Sequence, residues 1–289
     1  MVEKAGSARG VVLITGTSSG IGLATAVAAA RAGYTVVATL RNPDRAGALR
    51  TAADEAGVAL DIRRLDITEE TSLTDTVAEV AAAYGRLDAV VNNAGAGSVG
   101  TLELLTMDQV RAAFETNFFG TIAVTRAALP HLRASRGRLV TIGSIGGVVG
   151  QPFNETYCAA KAAVEAYLES LAPVADTVGV AVSIVEPGPV LSSFVDNIDL
   201  DRPAMLAAAG PYTPALGSYL EYIPEMFASA QTPEEVAATV LDVLADPAPP
   251  FRVQTSQFAK EFVAGKLADL DGSAVVSTTR KWLGAASAE

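Results

Sequence analysis

The chain has 289 residues, 50% hydrophobic and 18% charged, enough for one large α/β core or two small ones. Its 32 acidic and 21 basic residues leave a formal charge of −11, which argues against a general nucleic-acid or anionic-membrane binder. One cysteine, Cys158, and one histidine, His131, exclude an intrachain disulfide, a thiolate-rich metal site and a zinc site built on several imidazoles. No metal is therefore expected. His131 lies in a segment that reads as a helix end facing solvent, so acid–base chemistry falls to Tyr, Lys, Ser or carboxylates. Apolar runs such as Val11-Val12-Leu13-Ile14 are far too short to span a bilayer, and the first ten residues lack the apolar stretch of a secretory signal. A cytoplasmic protein is expected.

In chain order, short β-branched runs alternate with Ala- and Leu-rich stretches of helical spacing. Strands are predicted at residues 11–15, 35–40, 60–65, 89–92, 138–142 and 180–185, with helices such as 21–32 and 72–84 between them. Nearly continuous apolar strands separated by helices imply a parallel sheet buried on both faces: a doubly wound Rossmann-type α/β fold, with ligands beyond the carboxyl ends of the strands. No repeat or low-complexity linker interrupts residues 1–289, so one domain is expected. Residues 191–231 break the pattern, with four prolines and several aromatics, and read as a substrate-covering lid over an apolar pocket. At Thr232-Pro233-Glu234-Glu235 a helix resumes with an N-cap, a first-turn proline and two carboxylates at its positive end. A last strand is predicted at 251–255.

The chemistry-bearing motifs follow the same order. The first strand runs into Gly16-Thr17-Ser18-Ser19-Gly20-Ile21-Gly22, where glycines allow a tight turn and bring backbone N–H groups and a helix N-terminus to a pyrophosphate. The second strand ends in Arg41 rather than an acid, which favours the 2′-phosphate of NADP over the free ribose hydroxyl of NAD. Asn93-Ala94-Gly95 follow the fourth strand, Asn117 lies in a helix and Ser144 follows the fifth strand. Tyr157 and Lys161 then share one helical face. A phenol is a poor base near neutrality, but a neighbouring ammonium and the positive nicotinamide of an oxidised cofactor favour the phenolate.

Together these motifs, with Asp66-Ile67 and Pro187-Gly188, resemble the short-chain dehydrogenase/reductase family. The stretch from Gly147 to Lys161, with Gly188-Pro189-Val190, is similar to its type 1 17β-hydroxysteroid and photoreceptor-type retinol dehydrogenase subgroup. The resemblance implies Tyr157 as acid in carbonyl reduction and base in alcohol oxidation. Lys161 would hold the nicotinamide ribose, Ser144 would bond the reacting oxygen, and Asn117 would support a water-linked proton relay. Asp66 would contact the adenine, Asn93 and Gly95 would shape the cofactor-facing turn, and Pro187, Gly188, Val190 and Ser192 would border the nicotinamide. It also implies a homodimer or homotetramer.

A lipophilic, steroid-like substrate is expected, walled by Val149, Gln151, Asn154, Phe194, Met226 and Phe258. Gln151 sets a polar amide where steroid-acting relatives carry an apolar wall. The expected function is NADP(H)-dependent interconversion of a ketone and a secondary alcohol. The alternatives are a reductase of polyketide or xenobiotic ketones, and a non-catalytic dinucleotide-sensing regulator, which has no need of an intact Ser-Asn-Tyr-Lys set.

Overall fold

The computed structural model describes residues 9–192, 201–228 and 230–284. Its frame is a parallel sheet of seven strands in the order β3-β2-β1-β4-β5-β6-β7. The strands are β1 (Val11–Thr15), β2 (Thr35–Leu40), β3 (Asp61–Arg64), β4 (Ala89–Asn92), β5 (Arg138–Ile142), β6 (Ala181–Glu186) and β7 (Arg252–Gln254). The period of two along β1 sorts its side chains between two cores. Val11 and Leu13 join one face with Val77, Val124 and Leu168, while Val12 and Ile14 join the other with Ala26, Leu49 and Val240. Both faces are dry, and β1 is buried from end to end.

The first face is covered by α3 (Glu70–Tyr84), α5 (Gly120–Ser135) and α7 (Glu155–Asp176). The second is covered by α1 (Gly20–Arg31), α2 (Gly47–Ala56) and α10 (Pro233–Ala245). Between these lie α4 (Met107–Phe114) and the single turn α6 (Ile145–Val148). The proline-rich stretch contains two helices, α8 (Arg202–Ala208) and α9 (Thr213–Phe227). Pro203 and Pro214 fall in their first turns, where the missing N–H has no helical acceptor to lose. Past β7, α11 (Gln257–Ala268) and α12 (Ser273–Arg280) bring the chain back toward α9, and Trp282 packs into the same cluster as Tyr219 and Leu220.

Because β1 pairs with β2 on one side and β4 on the other, the chain changes winding direction there, and a crevice opens beyond the carboxyl ends of the strands. The glycine loop, Arg41, Asp66, the Asn93–Gly95 turn, Ser144, Tyr157, Lys161 and Pro187-Gly188 line that crevice, and His131 does not. It is half-buried in the penultimate turn of α5, where its carbonyl accepts from the Ser135 hydroxyl at 3.3 Å.

Candidate active site

The cleft encloses about 1020 Å³. Its dinucleotide side is built by the glycine loop. The Thr15 hydroxyl oxygen accepts from the Asn93 and Ala94 N–H groups, each at 3.0 Å, and Asn93 Nδ2 donates to the carbonyls of Thr15 and Gly16 at 2.9 Å. The turn is so tight that a Cβ on Gly22 would lie 2.3 Å from Asn93 Nδ2, and one on Gly16, at φ +71°, would lie 2.7 Å from the Ala94 Cα. Glycine is required at both. Thr17 is buried behind the loop, its N–H and hydroxyl both donating to the Thr39 carbonyl. Gly16, Ser18, Ser19, Gly20 and Ile21 line the cleft itself. Ser19 begins α1 without a side-chain cap, so the helix presents its free N–H groups and positive end to this wall.

At the end of β2, exposed Arg41 lines the cleft together with Arg45. Arg45 was not read from the sequence, although the Asn42-Pro43-Asp44 turn that precedes it is a recognisable signal. Asn42 Oδ1 accepts from the Asp44 N–H, and the short turn carries Arg45 round to the same side as Arg41. Across from them stand Asp66 and Ile67. Burial works against charge on Asp66, but two hydrogen bonds from Thr68, with the Arg41 and Arg64 guanidiniums, hold its carboxyl below the usual range.

Asn117 sits in a π-helical turn, Glu115–Phe119, that joins α4 to α5. Its amide is fully committed: Oδ1 accepts from the Ala96 N–H at 3.1 Å, and Nδ2 donates to the carbonyls of Ala96 and Ala113. It braces the Asn93–Ala96 turn rather than reaching into the cleft, so a water-linked relay through this residue would have to use its main-chain carbonyl. Gly95 fits closely beneath, since a Cβ there would come within 2.9 Å of Asn117 Oδ1.

Ser144 leaves β5 in extended conformation and caps α6, its Oγ accepting from the Gly146 N–H at 3.0 Å. The chain then turns through Phe153, held at φ +58°. A bulky residue rarely adopts that conformation. Here it is fixed by burial, by packing on Tyr219 and by the Gly100 N–H, which donates to its carbonyl at 2.8 Å. The turn aims α7 so that Tyr157 and Lys161 meet Ser144 in the cleft. The Ser144 and Tyr157 hydroxyls are hydrogen-bonded. Lys161 Nζ lies 5.9 Å from the Tyr157 ring centroid and donates to the Ile142 carbonyl at 2.9 Å. Burial pushes the phenol up to about 12 and the ammonium down to about 8. The phenol therefore holds its proton at neutral pH, ready to donate. Pro187, Gly188, Val190 and Ser192 form the facing wall, with Ser192 closing over Gly20.

The remaining walls are apolar and aromatic. Gln151, Asn154, Met226 and Phe258 line them. Asn154 is already engaged, donating to the Tyr219 hydroxyl at 2.5 Å and to the Pro152 carbonyl at 3.0 Å. Val149 is a correction: it is 1% exposed, packs in the interior after α6 and does not line the cleft. Phe194 lies outside the described residues. The sequence reading missed a run of rings from the C-terminal segment, in which Phe258 stacks on Phe262, Phe262 on Trp282, and Trp282 on Tyr222. Only the tertiary return of α11 and α12 toward α9 brings them together. Among the described residues, no group of His, Cys, Asp or Glu is arranged to hold a metal ion.

Comparison with known proteins bears on the family and the fold. The family model described as short chain dehydrogenase matches residues 10–203. Retinol dehydrogenase 8 of Bos taurus is 37% identical over 278 residues, covering 93% of this chain and 88% of its own length. The 17-beta-hydroxysteroid dehydrogenase type 1 of Homo sapiens is 36% identical over 283 residues, covering 95% and 86%. The crystal structure of a short-chain dehydrogenase from Streptomyces avermitilis superposes with a TM-score of 0.73 at 31% identity, covering 98% of this chain and 97% of that one.

Proposed function

The chain belongs to the short-chain dehydrogenase family of oxidoreductases, and from that premise we propose that it interconverts a ketone and a secondary alcohol on a lipophilic, steroid-like substrate, using NADP(H), with Tyr157 as acid and base. One observation carries the reading. A protonated phenol, a hydroxyl bonded to it and a buried ammonium converge where a glycine-loop cleft meets an aromatic pocket.

The residues fit a nicotinamide dinucleotide. The uncapped end of α1 and the glycines that admit no Cβ suit a pyrophosphate, and Asp66 suits an adenine amine. Two guanidiniums at the end of β2, with no carboxylate on that strand end, suit a 2′-phosphate. When bound, the dinucleotide supplies or accepts the hydride. The chain does the rest: Ser144 and Tyr157 donate hydrogen bonds to the substrate oxygen as negative charge grows on it, and Tyr157 passes its proton to that oxygen. The Lys161 ammonium then offsets the phenolate left behind. The rings of Tyr222, Phe258, Phe262 and Trp282 exclude water and hold an apolar body.

A panel of steroid, retinoid, polyketide-like and aryl ketones, followed by loss of NADPH absorbance and repeated with NADH, tests the proposal. Turnover of lipophilic ketones with NADPH preferred is expected, and Arg41→Asp should reverse that preference. Tight NADPH binding with no turnover across the panel would instead favour a dinucleotide-sensing regulator.

A further inference from the structure

The two ends of the stretch 191–231 meet at one point. Val190 and Gln231 form a parallel bridge: the Leu191 N–H donates to the Gln231 carbonyl at 2.8 Å, and the Gln231 N–H donates to the Pro189 carbonyl at 3.0 Å. The side chain of Gln231 reaches the other way. Its Nε2 donates to the Thr255 carbonyl at 2.9 Å, and its Oε1 accepts from the Thr255 hydroxyl. All four polar groups of this one residue are therefore used, two on each side.

Each side leads to a wall of the cleft. Pro189 and Val190 belong to the strip that closes over the glycine loop, and Ser192 at its end lies against Gly20. Thr255 directly precedes Ser256, whose Oγ accepts from the Ala259 N–H and starts α11, the helix that carries Phe258 and Phe262 to the apolar pocket. Among the described residues, no other side chain is shown hydrogen-bonding to Thr255. The amide is chemically specific, because it must offer a donor to a carbonyl and an acceptor to a hydroxyl. A carboxylate of the same shape would set an anion against the Thr255 carbonyl.

We propose that Gln231 is a positioning residue that ties the cofactor-side strip Pro189–Leu191 to the substrate-side helix α11, so that both halves of the cleft keep one frame. The inference rests on the reading of the cleft as a dinucleotide–ketone site. It gives Gln231 no contact with either reactant. Loosening the tie should weaken the binding of both reactants while leaving the proton-transferring groups unchanged.

Gln231→Glu tests it on the full-length chain, read by NADPH fluorescence titration, by the KM and kcat for a ketone the wild type reduces, and by Tm. The expected result is a fall of about tenfold in NADPH affinity, the scale typical of coupling between a site and a group that does not touch it. A rise in ketone KM should accompany it, with the pH profile of kcat unmoved and Tm within a few degrees of wild type. Native NADPH affinity and native KM in a well-folded variant would overturn the proposal. If the variant fails to fold, Thr255→Val, which removes only the hydroxyl, is read in the same way: a smaller loss of both affinities supports the tie, and none overturns it. A wild type that neither binds NADPH nor reduces any ketone sinks the functional reading, whereas an active wild type indistinguishable from Gln231→Glu sinks only the role of Gln231.

Discussion

Tyr157 and Lys161 are residue types usual on exposed helix faces, and here both are buried, which shifts their proton affinities. Desolvation raises the phenol to about 12 and lowers the ammonium to about 8, so in the free cleft Lys161 is the first of the pair to lose its proton as pH rises. Ketone reduction needs the protonated phenol and the charged lysine together. Its kcat/KM should therefore hold level through neutrality and decline above about pH 8 as Lys161 loses its charge. A reduction profile flat to pH 10 would show that the Lys161 charge is not used. These two residues were legible in the sequence because their spacing is local. The environment that tunes them was not, since it is made by Ile142, Ser144 and the pocket walls, which arrive from other elements. Arg45 and Val149 make the same point in opposite directions: one enters the cleft through a short turn, the other is carried into the core by one.

At the scale of elements, the central strands could be read almost residue for residue. Buried parallel strands are continuous apolar runs bounded by glycine and polar punctuation, as at Val11–Thr15 before Gly16 and Ala89–Asn92 before Asn93. The sheet margins were less legible. Strand β3 is shorter than its run of favourable residues, and β7 is reduced to Arg252–Gln254, because each pairs on one side only. The helices α8 and α9 were obscured by prolines, of which Pro203 and Pro214 sit in first turns while Pro224 lies inside α9. Capping was legible. Thr232 and Glu235 form a reciprocal box, the Thr232 N–H donating to Glu235 Oε2 at 2.8 Å and the Glu235 N–H to Thr232 Oγ1 at 3.2 Å. Thr232→Ala should cost about 1 kcal/mol of stability, a Tm drop of a few degrees, with NADPH affinity unchanged. Thermal denaturation beside a cofactor titration checks this. A matching loss of affinity would mean that the cap, and not only Gln231 beside it, sets the cleft.

For the whole molecule, the sheet serves as an edge from which Ser144, Tyr157 and Lys161 meet in one cleft, half polar and half aromatic. The same layout leaves apolar side chains outside. Phe119 and Tyr167, on the π turn and α7, are 54% and 45% exposed and lie close together through Phe118, which packs edge-on against both rings. The family resemblance implies a homodimer or homotetramer; if this face is where copies meet, sedimentation should show a dimer or tetramer that Tyr167→Arg weakens, and a wild-type monomer at micromolar concentration would contradict it. No helix among the described residues is long and apolar enough to cross a membrane. The proposed reaction turns on one proton, and Tyr157→Phe removes the group that would carry it while keeping the ring. Measured in single turnover with NADPH and a reducible ketone, this variant should lose at least about 100-fold in the chemical step while NADPH affinity stays within about twofold of wild type. Reduction at the native rate by Tyr157→Phe would contradict the account at its centre.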